Sequence, residues 1–119
     1  MKRRIIFVDD EINLLDGLRR MLRKKKDEWD MIFVESGKEA LEKMEDINFN
    51  ILVTDFKMPG MDGIELMQRV KEKYPDIRRI ILTGQSKSEI FNKAKEAAHA
   101  YIPKPCNSNE LISIIEKEK

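Results

Sequence analysis

Carboxylate, hydroxyl and ammonium side chains follow four of the short apolar runs in this 119-residue sequence. Carboxylates brought within ~4 Å of one another repel by roughly 4 kcal/mol at an effective dielectric near 20. A cluster of them therefore favours a bound divalent cation, and an all-oxygen ligand set favours Mg²⁺ or Ca²⁺ over zinc. In chain order the side chains are Asp9 and Asp10, Asp55, Thr83 and Lys104.

Asp55 ends an apolar, β-branched run and is followed by a loop that contains Pro59, Gly60 and Gly63. A carboxylate beside Mg²⁺ can attack a phosphoryl group and form an aspartyl phosphate. The metal and a lysine ammonium would neutralise the transferring oxygens, and a threonine hydroxyl could donate a hydrogen bond to one of them. If the side chains meet, these residue types predict phosphoryl transfer to Asp55.

Each residue taken alone also has a purely structural interpretation. Asp10 could cap the helix that follows it, Thr83 could be an ordinary hydroxyl at a strand end, and Lys104 could be solvated. The functional interpretation therefore depends on a fold that brings the residues to one place.

Five short apolar segments alternate with five amphipathic segments along the chain. The amphipathic segments have apolar residues at three- and four-residue steps, which indicates helices. Their starts carry capping sequences of the type Ser-Gly-Lys-Glu and Asp-Gly-Ile-Glu. The predicted strands are Arg3–Val8, Met31–Val34, Ile51–Asp55, Arg79–Leu82 and Ala100–Pro103. The first predicted helix begins at Ile12, and the other four begin at the capping residues Ser36, Asp62, Ser86 and Asn107. The helix that begins at Ser36 is predicted to run to about Met44.

The alternation predicts an α/β fold, a doubly wound parallel sheet with right-handed crossovers and helices on both faces. Pro103 has no N–H, so we expect the last strand at an edge of the sheet. In such sheets the functional crevice lies beyond the carboxyl ends of the strands. Four predicted strands end there in the reactive residues. The second ends in Glu35-Ser36, which we expect away from the centre.

Composition limits the class of function. The sequence has 23 Lys and Arg against 22 Asp and Glu, so no general basic field argues for nucleic acid or an anionic membrane. Its one cysteine, Cys106, excludes an internal disulfide and fits a reducing, cytoplasmic setting. The apolar runs are far shorter than the ~20 residues of a membrane span. We expect a single domain over residues 1–119, with no DNA-binding segment after Ile115.

The sequence resembles the receiver domain of two-component response regulators over essentially its whole length. The resemblance implies a flavodoxin-like fold, with a five-stranded parallel sheet of order 2-1-3-4-5 and five helices. The residues that carry it are the pair Asp9-Asp10, Asp55 with Met58-Pro59-Gly60-Met61-Asp62-Gly63 behind it, Thr83, and Lys104-Pro105.

The resemblance implies a role for each carboxylate. Asp55 would be the phosphoacceptor. Asp9 and Asp10 would hold Mg²⁺ together with Asp55 and the backbone carbonyl of Lys57, Asp9 through water. The family therefore implies the same magnesium-dependent chemistry that the residue types predict.

Further roles are implied at the last two strands. Thr83 and Lys104 would contact the phosphoryl oxygens, and the peptide bond between Lys104 and Pro105 would be cis. Tyr101 matches the aromatic switch position of the family. There the ring swings inward as Thr83 moves toward the phosphoryl group, which reshapes the face formed by the fourth helix, fifth strand and fifth helix.

The resemblance also implies partners. A sensor histidine kinase or phosphotransfer protein would supply the phosphoryl group, and an output domain or protein partner would read the switch face, with homodimerisation on phosphorylation as one outcome. The domain would catalyse only its own phosphorylation and dephosphorylation, so we do not expect an enzyme in the usual sense. Residues 27–29, 34–37 and 99–106 resemble receivers that precede HDOD or HD-GYP output domains, which implies a domain of a longer regulator.

Two enzyme classes are excluded, because the sequence lacks a residue or loop that each of them requires. A haloacid-dehalogenase-type phosphatase needs a second Asp two residues after the nucleophile, where this chain has Lys57. A nucleotide or flavin binder needs a Gly-rich or Ser/Thr-rich loop after the first strand, where this chain has Asp9-Asp10-Glu11. The remaining alternative is a receiver-like docking module that works without phosphorylation.

Overall fold

Five parallel strands form one sheet in the order β2-β1-β3-β4-β5 in this computed structural model. The structure describes residues 2–56, 58–83, 97–103 and 108–117, and only the backbone at positions 83, 101 and 103. Strand order, parallel pairing and the edge position of the last strand agree with the predicted flavodoxin-like fold. The strands are β1 (Arg3–Val8), β2 (Trp29–Val34), β3 (Ile51–Asp55), β4 (Arg78–Thr83) and β5 (Ala100–Pro103).

Helices follow β1, β2, β3 and β5 in the described part of the chain. The Ser36 hydroxyl accepts a hydrogen bond from the Glu39 N–H at 3.1 Å, and the Asp62 carboxylate accepts one from the Glu65 N–H at 2.9 Å. Both predicted N-caps are therefore confirmed. The helix predicted from Ser86 and the cap predicted at Asn107 lie outside the described residues. The helices are α1 (Ile12–Met21), α2 (Gly37–Asp46), α3 (Gly63–Lys73) and the C-terminal helix (Ser108–Glu116), with a 3₁₀ turn at Arg23–Lys25.

Each face of the sheet is covered by its own apolar cluster. Successive strand residues point to opposite faces, so Ile5 and Phe7 belong to one cluster and Ile6 and Val8 to the other. The first cluster is completed by α1 and the C-terminal helix, and the second by α2 and α3. Among the described residues no helix is long and apolar enough to cross a membrane.

Four predicted boundaries differ from the structure. Strand β2 begins at Trp29 instead of Met31, because Trp29 pairs with Arg3 in the parallel register and its side chain is only 3% exposed. Strand β4 is one residue longer than predicted at each end, since Arg78 pairs with Ile51 of β3 and Thr83 pairs with Pro103 of β5. Helix α2 continues past the predicted end near Met44 to Asp46. In each case strand pairing or helical hydrogen bonding extends the element beyond the segment that the sequence pattern predicts.

The end of the C-terminal helix is capped by cations from the sheet. No basic residue lies in its own last turn. Instead the Arg3 side chain donates to the Ile115 carbonyl oxygen at 2.7 Å, and the Arg78 side chain donates to the carbonyl oxygens of Ile114 at 2.6 Å and Ile115 at 3.2 Å. These guanidiniums satisfy helix carbonyls that have no intrahelical partner and oppose the negative end of the helix dipole.

Arg79 is a buried cation, 6% exposed. Its side chain donates to the carbonyl oxygens of Ala97 at 2.6 Å and Ile77 at 3.0 Å. Its backbone exchanges two bonds with His99, since the His99 N–H donates to the Arg79 carbonyl at 2.7 Å and the Arg79 N–H donates to His99 Nδ1 at 3.0 Å. Because Nδ1 accepts a hydrogen bond, the neutral ring carries its proton on Nε2.

His99 makes stability depend on pH. Burial, followed by the cations Arg79, Arg78 and Lys71, lowers the pKa of His99 below its usual 6.5. The folded protein therefore binds the histidine proton less readily than the unfolded chain. The stabilising contribution is complete above pH 6.5 and is lost as the pH falls through the lowered folded-state pKa.

We predict that urea unfolding shows a larger loss of stability between about pH 7.5 and about pH 5 in the wild type than in His99→Asn. Asn offers an oxygen near the position of Nδ1 but does not titrate, and His99 is the only histidine in the sequence. Equal losses in the two proteins would contradict the assignment of this titration to His99.

Candidate functional site

Three carboxylates meet at the carboxyl edge of the sheet. Val8 and Thr54 are partners in the β1–β3 register, so Asp9 and Asp55, one residue further along each strand, are neighbours. One carboxylate oxygen from each of Asp9, Asp10 and Asp55 lies within 4.8 Å of the other two. The predicted convergence of these three side chains is therefore present.

The three carboxylates differ in exposure. Asp9 is 2% exposed, Asp10 is exposed and Asp55 lies between them. The Asp9 carboxylate accepts a hydrogen bond from the Glu11 N–H at 3.0 Å, and the Asp9 N–H donates to the Val34 carbonyl at 3.2 Å. These bonds fix the turn between β1 and α1, which holds one carboxylate at the base of the cluster.

An open pocket of about 480 Å³ lies beside the cluster and is lined by Asp10, Phe56, Met58 and Pro59 among others. The donor set fits a hard divalent cation, because it consists of carboxylate oxygens close enough to share one ion. Without a cation the carboxylates would repel one another through the low dielectric around Asp9. The geometry therefore fits a hard divalent cation at a site open to solvent on one side.

The backbone around Asp55 is held by Thr54, which the sequence did not point to, and by Gly63, which was named there only as part of the loop and of the family motif. The Thr54 hydroxyl is fully buried and donates to the Asp55 carbonyl oxygen at 3.0 Å. The Gly63 N–H donates to the Phe56 carbonyl oxygen at 2.8 Å. A Cβ on Gly63 would collide with the Asp55 carbonyl oxygen and lie 3.1 Å from the Asp55 carbonyl carbon and the Phe56 Cα.

Gly63 therefore allows the first turn of α3 to lie directly against the backbone of the third strand. A signal for this was available in the sequence, since glycine at the first position of a helix lowers helix propensity and calls for a steric reason. Thr54 had no such signal, because a buried threonine inside a strand is ordinary.

The last two strands carry the remaining predicted residues. Leu82 is the register partner of Asp55, so the backbone of Thr83 lies one residue beyond it at the same edge. Thr83 in turn pairs with Pro103. Tyr101 pairs with Ile81, two residues below that edge. Lys57, Lys104 and Pro105 lie outside the described residues.

We predict that Gly63→Ala destabilises the protein by at least the ~1–3 kcal/mol typical of overpacking, since the collision is with backbone. Gly17→Ala is the matched control, because a Cβ at Gly17 meets nothing within 4 Å. We expect the control to raise stability by about 0.5–1 kcal/mol, the usual gain for Ala over Gly in a helix. Urea unfolding measures both. Wild-type stability in Gly63→Ala would contradict the close approach.

The sequence is similar to those of known transcriptional regulatory proteins. A curated relative, the uncharacterized transcriptional regulatory protein YesN of Bacillus subtilis (strain 168), is 35% identical over 121 aligned residues, covering 96% of this chain and 32% of that protein. The chain spans between 18% and 32% of the length of several curated relatives.

Two solved structures are similar over almost the entire chain. A CheY-like response regulator receiver domain protein from Methanospirillum hungatei JF-1 has a TM-score of 0.90 and 30% identity, covering 98% of this chain and 93% of that chain. The response regulator TrrA of Thermotoga maritima, in a complex with Mg²⁺ and BeF, has a TM-score of 0.85 and 31% identity, with 97% of each chain covered.

The sequence also matches the model of a protein family. The response regulator receiver domain model matches residues 5–116. Receiver domains are signalling domains that bind Mg²⁺ at an acidic cluster and interact with histidine kinases and output domains. From the sheet order, the carboxylate cluster and this match, the chain belongs to the response regulator receiver domain family of two-component systems.

Proposed function

We propose that this receiver domain accepts a phosphoryl group on Asp55 in a magnesium-dependent reaction and changes conformation in response. The observation that carries the proposal is the group of three carboxylate oxygens within 4.8 Å of one another at the carboxyl edge of the sheet. The likeness to TrrA, which is known in complex with Mg²⁺ and BeF, supports the same chemistry.

The differences among the three carboxylates favour Asp55 as the nucleophile. Asp9 is almost completely buried and accepts a backbone hydrogen bond from Glu11, so a phosphoryl group has little access to it. Asp10 is exposed and lies in the turn that leads into α1. Asp55 is partly exposed, and its backbone is held by Thr54 and by the close approach of α3. A nucleophile needs this combination of access and fixed position.

In the transfer step, an Asp55 carboxylate oxygen forms a bond to phosphorus while the bond from phosphorus to the donor's histidine nitrogen breaks. The electron pair of that bond leaves with the imidazole, which takes up a proton from solvent. Bound Mg²⁺ would offset the repulsion among the carboxylates and the charge of the phosphoryl oxygens. Asp9, Asp10, Asp55 and the carbonyl of Lys57 are the proposed ligands.

Thr83 and Lys104 are the proposed contacts of the phosphoryl oxygens. Support comes from the backbone, because Thr83 is one residue past the register partner of Asp55 and pairs with Pro103, which directly precedes Lys104. A hydroxyl and an ammonium there would stabilise charge on the transferring group. The cis peptide bond before Pro105 remains a prediction.

The proposed switch couples Thr83 to Tyr101. Thr83 lies on β4 and Tyr101 lies on the adjacent strand β5. A movement of Thr83 toward a phosphoryl group can therefore be transmitted to Tyr101. The new charge would bias a two-state equilibrium and change the face that includes β5. A histidine kinase or phosphotransfer protein is the proposed donor, and an output domain, a protein partner or a second copy the proposed reader of that face.

The wider context is also a proposal. Because the chain spans about a third or less of its curated relatives, we propose that residues 1–119 form one receiver unit that works with an output region, in a cytoplasmic setting. An output of HDOD or HD-GYP type stays a prediction. Apart from its own phosphorylation and dephosphorylation, we propose no enzymatic activity. The alternative, a docking module that works without phosphorylation, is favoured by no particular observation.

We predict that Asp55→Asn abolishes phosphorylation, because the amide cannot act as the nucleophile. Intact mass after incubation with an acyl phosphate and Mg²⁺ should show one added phosphoryl group in the wild type and none in the variant. Asp46→Asn, which makes the same change at an exposed position in α2, should behave as the wild type. Phosphorylation of the Asp55→Asn protein, located on another residue by peptide mapping, would overturn the assignment.

We predict that Mg²⁺ raises the melting temperature, since it binds the folded state alone. Asp10→Ala should remove most of this shift, because it deletes one carboxylate of the cluster, whereas Asp46→Ala should leave the shift intact. Differential scanning fluorimetry over a range of Mg²⁺ concentrations gives the readout. An unchanged magnesium shift in Asp10→Ala would count against the proposed ligand set.

A further inference from the structure

A cavity lies at the opposite end of the sheet from the carboxylates. It has a volume of about 870 Å³ and is lined by residues where β1, β3 and β4 begin and where the C-terminal helix ends. This volume is within the ~300–1,000 Å³ typical of sites for small organic ligands. Nothing in the proposed phosphoryl chemistry uses it.

The charged residues that line this cavity are mostly cationic. They are Arg3, Arg78 and Lys117, against the single carboxylate of Asp76. The guanidiniums of Arg3 and Arg78 are held close together, because both donate to the Ile115 carbonyl oxygen, at 2.7 Å and 3.2 Å. Burial and the nearby charge of Arg3 lower the pKa of Arg78. The helix end offers only about half an elementary charge in compensation.

The same cavity has hydrogen-bond donors to spare. Within the described residues Arg78 uses one terminal nitrogen, NH1, for its two bonds to helix carbonyls, and a guanidinium has five N–H groups. His99 also lines the cavity, and its proton is on Nε2 because Nδ1 accepts from Arg79. The exposed ring of Pro75 supplies apolar surface. Donors, positive charge and apolar surface together suit a ligand with an anionic oxygen group and a small organic body.

We propose that this cavity, lined by Arg3, Arg78 and His99, binds a small organic oxyanion, a carboxylate or phosphate compound, at a site separate from the phosphoryl-accepting edge. Arg3 and Arg78 are preorganised by their shared bond to Ile115, so binding would not require them to lose side-chain freedom. The anion would relieve the repulsion between the two guanidiniums. This proposal does not depend on phosphorylation of Asp55.

The test is an amide-detected NMR titration of the magnesium-free protein with citrate and with glycerol 3-phosphate at constant ionic strength. Citrate represents organic carboxylates and glycerol 3-phosphate represents organic phosphates, and the compound that binds more tightly identifies the ligand class. We expect saturable shifts of the amides of Ile51, Asp76 and His99. Shifts that are linear in concentration, or that are confined to the amides around Asp10 and Asp55, would overturn the proposal.

Variants distinguish specific binding in this cavity from nonspecific attraction of the anion to positive charges on the protein. Arg78→Gln should weaken binding at least about tenfold, as expected for loss of a charge-assisted contact. Lys117→Gln should weaken it several-fold, and it serves if Arg78→Gln does not fold, because the Lys117 side chain has no hydrogen bond or ion pair to a described residue. Lys43→Gln removes one exposed charge from α2, on the opposite face of the sheet, and should have no effect. Equal weakening by Lys43→Gln and Lys117→Gln would refute the site.

Discussion

The repulsion among Asp9, Asp10 and Asp55 is the constraint on which the rest of this structure depends. Carboxylates within 4.8 Å of one another separate unless the backbone around them is fixed. Here the β1–β3 register places two of them side by side, and the turn after β1 is tied down by the Asp9 side chain and by Val34. The free energy for this arrangement comes from the two apolar clusters on either side of the sheet.

The third strand shows how closely the surrounding structure holds the site. The carbonyl oxygen of Asp55 accepts a hydrogen bond from the buried Thr54 hydroxyl. Helix α3 begins at Gly63 because no larger residue fits against that carbonyl. The first turn of a helix thus lies directly on the strand end that carries the proposed nucleophile. A displacement of α3 would therefore be transmitted to Asp55 without any intermediate side chain.

Most of the fold could be predicted from the sequence, because its signals are local. Apolar runs, helical periodicity and the caps at Ser36 and Asp62 each depend on a few neighbouring residues. The parallel order and the meeting of Asp9, Asp10 and Asp55 followed from topology and from a family resemblance. Boundaries such as Trp29 were missed, since strand length depends on pairing with a distant strand.

What the sequence could not reveal are contacts between distant positions. Arg79 was predicted only as the first residue of a strand, and the structure buries its charge against the carbonyls of Ala97 and Ile77. Its bonds to His99 give that histidine a fixed tautomer, which no pattern of neighbouring residues indicates. The cavity at the base of the sheet is likewise formed by residues from five separate segments.

The shared bond of Arg3 and Arg78 to Ile115 has a consequence for folding. Arg3 and Ile115 are 112 positions apart in the chain, so this contact closes a loop of almost the full sequence length. Loop closure of that size must be offset by other contacts before the bond can form. During synthesis the C-terminal helix can acquire its arginine cap only after the segment from Arg3 to Ile115 has emerged. The strands β1 and β4, which flank the central strand β3, then hold that last helix, so the receiver fold is complete only when residues near Ile115 have been made.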